Sequence, residues 1–156
     1  GFKSIVHIPH GLDSLQAAAM LCAGVTSFAG VKKTNVHAGQ WLAIFGAAGG
    51  LGHLAVQFAS HMGIKVCAID QGRERVMDLK KLGATAVVDS NATKNILVNI
   101  REICDRQGPD GILVISPDLG TYKEALLSLR PNGTVVALSL PPGSFDVDVF
   151  DLVMHG

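Results

Sequence analysis

The chain has 156 residues, 13 basic and 13 acidic, so its formal net charge is zero. Hydrophobic residues make up 48% and charged residues 17%, the latter below the roughly 25% of an average globular chain. This composition excludes a disordered chain. It leaves no cationic excess to neutralise nucleic-acid phosphates, and the length fits one domain with a full core.

Asp13-Ser14-Leu15-Gln16 reads as a helix cap. Leu15, Ala18, Ala19, Cys22 and Ala23 then recur at helical spacing, so a helix is expected over about 14–29. On spacing alone its stripe is the core-facing side, and Cys22 is a buried core thiol. After a polar connection, Trp41-Leu42-Ala43-Ile44-Phe45 is an unbroken apolar run ending at Gly46, as in a central strand. Leu51, Leu54, Ala55, Phe58, Ala59 and Met62 form a helical stripe stopped by Gly63.

The unit then repeats. Strands are predicted at 66–69, 86–88, 111–115 and 134–138, with helices over 73–82, from about Asn91 to Ile103, and around Tyr122 to Leu129. Strand–helix alternation at this spacing implies right-handed βαβ units. The fold class is therefore α/β, a doubly wound parallel sheet of about five strands. The charge-free stretch 34–64 is not a membrane span, because glycines, histidines and glutamines interrupt it. Residues 1–10 lack the continuous apolar stretch of a secretion signal.

The cysteines, Cys22, Cys67 and Cys104, are odd in number and contain no CxxC pair. That predicts reduced thiols and a cytoplasmic location, with Cys67 and Cys104 as core fillers. His7 and His10 flank no acidic or cysteine partner and are not read as metal ligands. His53 and His61 are expected to be solvated. The sequon Asn91-Ala92-Thr93 is read as chance.

Chemistry concentrates in Gly46-Ala47-Ala48-Gly49-Gly50-Leu51-Gly52, between the first strong strand and its helix. Gly46 permits the sharp exit from the strand. Gly49 or Gly50 clears the approach of a pyrophosphate to backbone, and Gly52 lets the helix lie close to the sheet. The helix N-terminus then offers free N–H groups to phosphate. The loop is one residue longer than G-x-G-x-x-G, but the next strand ends in Asp70, 18 residues after Gly52. A carboxylate there accepts hydrogen bonds from ribose hydroxyls and repels a ribose phosphate, which favours NAD over NADP. Arg73 and Arg75 follow closely and offer the opposite, a phosphate site.

Several segments in order, HIPHGLDSLQAAAMLCAGVT, AGQWLAIFGAAGGLG, HLAVQFASHMG, VCAID and RPNGTVV, resemble the medium-chain zinc-dependent alcohol dehydrogenases, nearest the yeast and fungal type. The resemblance covers nearly the whole chain. It implies a Rossmann-type coenzyme domain at 31–156, with 1–30 a lead-in segment and helix joining a catalytic domain that lies outside this chain. The sheet would then be incomplete at one edge, where a sixth strand follows in that family. For the parent, the resemblance implies oxidation of alcohols to aldehydes or ketones, with zinc polarising the alcohol oxygen and hydride passing to NAD. It also implies a small alcohol or aldehyde substrate and a homo-oligomer, with no nucleic acid or membrane partner.

By the same resemblance Cys22 is one zinc ligand, whose fellow ligands have no counterpart here, and Thr26 touches the nicotinamide. Leu51 packs behind the nicotinamide ring. Gly46, Gly49, Gly50 and Gly52 form the pyrophosphate loop, and Asp70 is the ribose acid. Ser116 lies by the adenosine-side ribose, and Ser139 stands where the yeast type has a glycine near the carboxamide. Zinc belongs to the full-length parent only, so this chain alone is expected to bind NAD without turning over alcohol. Two other readings compete: a zinc-free NADPH-dependent quinone or enoyl reductase of the same superfamily, and an isolated non-catalytic dinucleotide-binding module.

Overall fold

The computed structural model describes residues 5–155. Five parallel strands stand in the order β3-β2-β1-β4-β5: β1 Trp41–Phe45, β2 Lys65–Asp70, β3 Ala86–Asp89, β4 Gly111–Val114 and β5 Thr134–Ala137. The chain starts in the middle of the sheet, winds outward to β3, then returns to the other side of β1. The exits of β1 and β4 therefore diverge, which opens a crevice at the carboxyl ends of the strands.

The central strand is buried along its whole length, as expected of a parallel strand covered on both faces. Its side chains alternate between two cores. Leu42 and Ile44 point to one with Val31, Val56, Val66 and Leu79. Trp41, Ala43 and Phe45 point to the other with Ile69, Ile100, Ile112 and Tyr122. The first core is closed by α2 Val25–Lys33, α3 Gly52–His61 and α4 Arg73–Lys81; the second by α5 Ile96–Ile103 and α6 Leu119–Ser128. A last helix, α7 Val149–His155, follows the sheet. At the amino end of β1, the Trp41 indole N–H donates to Asp105 at 2.9 Å. Lys65 reaches the same carboxylate at 3.3 Å and lies 4.8 Å above the indole ring.

Three expectations need correction. The lead-in helix is longer than 14–29 and not uniform. It runs as α1 Ser14–Ala19, capped by Asp13, then a π-helical segment Met20–Gly24, then α2. Its inner face is Ala17, Gly24, Ser27, Gly30 and Val31, while Leu15 is 83% exposed and Cys22 is exposed. Cys22 is thus no core thiol. The small residues win the inner face because the rod lies close to its neighbours: a Cβ on Gly30 would sit 2.8 Å from Leu138. The boundary at residue 30 falls inside α2. On length and mean hydropathy, 1.4, the stretch Ser14–Lys33 could cross a bilayer, but the inner face of α2 packs against the core.

The second correction is that α5 starts at Ile96, later than Asn91. Asn95 caps it by accepting from the Val98 N–H, whereas the Asn91 N–H donates to Asp89 in the turn after β3. The third is that His53 is half-buried, its Nδ1 paired with the Gly49 carbonyl at 2.9 Å; His61 is exposed. Cys67 and Cys104 are both buried, as expected. Their mutual contact, then burial, pushes the Cys104 thiol far above the ordinary thiol range.

Candidate nucleotide site

The crevice at the strand exits is a cleft of about 630 Å³. Gly46, Gly49, Gly50 and Leu51 form its floor, Asp70 and Arg75 one wall, and Ser116, Asp118 and Glu124 the other. Six of the residues singled out from sequence, Gly46, Gly49, Gly50, Leu51, Asp70 and Ser116, therefore line one cavity.

The loop is held by backbone and by one carboxylate. Gly46 has φ +80°, and a Cβ there would stand 2.9 Å from the Ser116 nitrogen, so only glycine fits the turn between the exits of β1 and β4. Gly52 is buried under the loop, and a Cβ on it would fall 2.2 Å from the Gly46 carbonyl oxygen and 2.6 Å from Ala47 backbone. The close approach that needs Gly52 is thus made with the strand-exit backbone itself. Gly49 and Gly50 differ: a Cβ on Gly49 would meet only the Gly46 oxygen, at 3.4 Å, and one on Gly50 would meet nothing. The protein itself leaves room for a Cβ at both positions, which face the cleft.

Asp70 does more than face the cleft. Its Oδ2 accepts from the Ala48 N–H at 2.7 Å and its Oδ1 from the Gln71 N–H at 2.7 Å. The Arg75 guanidinium stands 3.7 Å from Oδ1. One carboxylate thus ties the glycine loop to the end of β2, while spare lone pairs remain for a ribose hydroxyl. On the other side of the loop, the buried Ser27 hydroxyl donates to the Leu51 carbonyl at 2.8 Å, fixing the start of α3 against α2.

Charge in the cleft is mostly negative: Asp70, Asp118 and Glu124 against Arg75. Burial, then neighbouring Asp118, pushes the Glu124 carboxyl above its ordinary range. A bound anion must therefore rest on backbone donors. The N–H groups of Gly50, Leu51 and Gly52 find no acceptor among the described residues, and they lie at the amino end of the ten-residue helix α3, whose N-cap is Leu51. Such an end carries partial positive charge and suits a phosphate. The cradle, the free N–H groups and the Asp70 carboxylate together fit a dinucleotide.

The other expected site residues lie apart. Ser139 borders a neighbouring groove, and its hydroxyl donates to the Ser116 carbonyl at 2.6 Å. Thr26 is half-buried on α2 and Cys22 is exposed on the π-helical segment; neither lines the cleft. The π geometry alters the register between these two from that of a regular α-helix. Among the described residues no group of three or more His, Cys, Asp or Glu side chains could hold a metal, and zinc needs at least three protein ligands. The residues present do not fit a zinc ion. Sequence reasoning missed Ser27, Asn91, Thr121 and Glu124. The first acts through a contact 24 residues away, and the other three reach the cleft wall through sheet topology.

The comparisons with known proteins agree with this geometry. Residues 50–156 match the family model of zinc-binding dehydrogenases. The chain is 42% identical over 149 residues to an alcohol dehydrogenase of Moraxella sp. (strain TAE123), spanning 96% of this chain and 43% of that protein. It is 37% identical over 153 residues to alcohol dehydrogenase 1 of Neurospora crassa, spanning 97% and 43%. It therefore covers less than half the length of these relatives. Among solved structures, the alcohol dehydrogenase TADH of Thermus sp. ATN1 superposes with a TM-score of 0.90 at 26% identity, covering 96% of this chain and 43% of that one. A quinone oxidoreductase of Pseudomonas syringae pv. Tomato DC3000 gives 0.86 at 26%, covering 96% and 46%. With a doubly wound sheet, a glycine cradle at its switch point and these relatives, the chain belongs to the medium-chain zinc-binding dehydrogenase family, of which it carries the coenzyme-binding domain.

Proposed function

We propose that this chain is the NAD-binding part of an alcohol dehydrogenase that oxidises small alcohols to aldehydes or ketones. The observation that supports NAD most directly is Asp70, set at the end of β2 with its carboxylate against the loop and the cleft. When bound, the dinucleotide supplies the hydride acceptor. The chain's own part is to hold it: N–H groups of the loop on the pyrophosphate, Asp70 on the ribose hydroxyls, and Leu51 as the apolar surface at the start of α3. Family members of this kind use zinc, but Cys22 stands without fellow ligands among the described residues, so zinc chemistry belongs to other parts of the parent. We also propose a cytoplasmic protein that assembles as a homo-oligomer.

A second reading, a zinc-free NADPH-dependent quinone or enoyl reductase, draws on Arg75, a cation on the cleft wall beside Asp70. Calorimetric titration separates the two. A charge-assisted hydrogen bond contributes roughly 1.5–3 kcal/mol, so NADH is expected to bind at least about tenfold more tightly than NADPH. Equal or tighter NADPH binding favours the reductase. The chain by itself is expected to hold no zinc by elemental analysis and to show no ethanol-dependent NAD reduction; stoichiometric zinc with turnover would refute that.

A further inference from the structure

Three elements meet beside the cleft at a chain of hydroxyls. Tyr122, on α6, is 7% exposed. Its hydroxyl lies 2.5 Å from the Ser139 hydroxyl and 3.0 Å from the Ser139 carbonyl. The Ser139 hydroxyl in turn lies 2.6 Å from the Ser116 carbonyl. A carbonyl cannot donate, so Tyr122 donates to the Ser139 carbonyl and Ser139 to the Ser116 carbonyl, while either hydroxyl can be the donor at the 2.5 Å contact between them. Two protons thus serve three contacts in one connected network. It joins the chain beyond β5 to the exit of β4, with a buried phenol as its anchor.

This strut stands in a definite place relative to a dinucleotide. Asp70 fixes the adenosine ribose at the end of β2, and the loop between β1 and α3 fixes the pyrophosphate. The remaining half of the ligand must then lie on the far side of the loop, past the exit of β4 toward that of β5. Ser116, at the exit of β4, lines the same cleft as Asp70 and Asn91, whereas Tyr122 and Ser139 stand outside it, toward β5. The proton of Ser139 is committed internally, so its side chain acts as a spacer between two strand exits.

We propose that Tyr122 is a positioning residue for the nicotinamide half of the dinucleotide, acting through Ser139 to hold the exits of β4 and β5 at the spacing that half requires. The proposal rests on the reading of the cleft as a dinucleotide site. It predicts that loss of the strut is felt by a whole dinucleotide and not by a ligand that ends at the pyrophosphate.

The test uses the 156-residue chain, with NADH and ADP as the two probes and thermal unfolding as a check on folding. Tyr122→Phe removes one oxygen atom. It is expected to weaken NADH about threefold to tenfold, the range of one net hydrogen bond, and to reduce the enhancement of nicotinamide fluorescence. ADP should bind within about twofold of the original chain. Ser139→Ala should behave likewise and carries the test if the tyrosine variant does not fold. Ser139→Thr, which keeps a hydroxyl, should restore NADH binding. Equal weakening of NADH and ADP means a merely structural role and overturns the proposal. So does unchanged NADH binding in both strut variants. If the original chain binds neither ADP nor NADH, the dinucleotide reading itself fails, and the proposal falls with it.

Discussion

The two sides of the cleft are built on opposite principles. On the β1–β2 side the shape comes from absent atoms: Gly46 and Gly52 leave no room for a Cβ, and the backbone packs on itself. On the β4–β5 side the wall is braced from outside the cleft by added atoms, the hydroxyls of Tyr122 and Ser139. The first side should therefore be broken by any gain of side chain and the second by loss of a single oxygen. Steric exclusion by backbone is stiff, because backbone cannot change rotamer. A hydroxyl chain is softer, and its removal leaves most of the packing in place.

The largest effect should come from Gly52→Val. Its Cβ would overlap the Gly46 carbonyl and the Ala47 backbone, so either the loop or α3 must move. Overpacking of this kind costs about 3 kcal/mol, and chemical denaturation should show it together with loss of NADH binding. Gly49→Val sharpens the comparison, because its Cβ has ordinary room at 3.4 Å. It should fold with a loss of no more than about 1 kcal/mol yet fail to quench or enhance NADH fluorescence. Normal NADH binding by Gly49→Val would mean that the phosphate lies elsewhere.

Asp70→Ala is next. It removes the acceptor of the Ala48 and Gln71 N–H groups as well as the ribose partner. Stability should fall by about 1–3 kcal/mol, and the preference for NADH over NADPH should narrow in the same variant. If only the preference changes, the loop does not depend on this carboxylate. The smallest effect concerns Glu124. Its folded-state pKa is raised by burial and by Asp118, so the folded state binds the proton more tightly than the unfolded state. Glu124's own contribution to stability is therefore fullest below the ordinary carboxyl value, about 4.3, and is lost as pH rises through the raised one. Glu124→Gln should raise the melting temperature at neutral pH and lose that advantage near pH 4, while binding ADP slightly more tightly.

Legibility followed range. The strand Trp41–Phe45, the glycine loop and Asp70 were readable because their signals are local: an unbroken apolar run, a turn that needs glycine and an acid one strand later. The same locality explains the misassigned face of the lead-in helix. Apolar spacing favoured Leu15 and Cys22, but which side is inward was decided by close packing against Leu138 and Leu113, a hundred or so residues later in a different element. The π-helical segment and the later start of α5 also depend on competition for backbone hydrogen bonds that no periodicity records. The partners Ser27–Leu51 and Tyr122–Ser139 were invisible for a simpler reason. A serine or a tyrosine carries no spacing signal; the packing of α2 on α3 brings the first pair together and the strand order the second.

Trp41 is the single tryptophan of the chain, fixed at the amino end of β1 by Asp105 and Lys65. The cleft lies at the other end of that five-residue strand, about 16 Å away at ~3.3 Å per residue. The indole is thus rigid, singular and remote from any bound ligand. Its emission should report unfolding without being disturbed by direct contact at the cleft, while a bound reduced nicotinamide would accept its excitation energy through space. The molecule consequently contains an optical ruler laid along its central strand, able to separate occupancy from integrity in one cuvette.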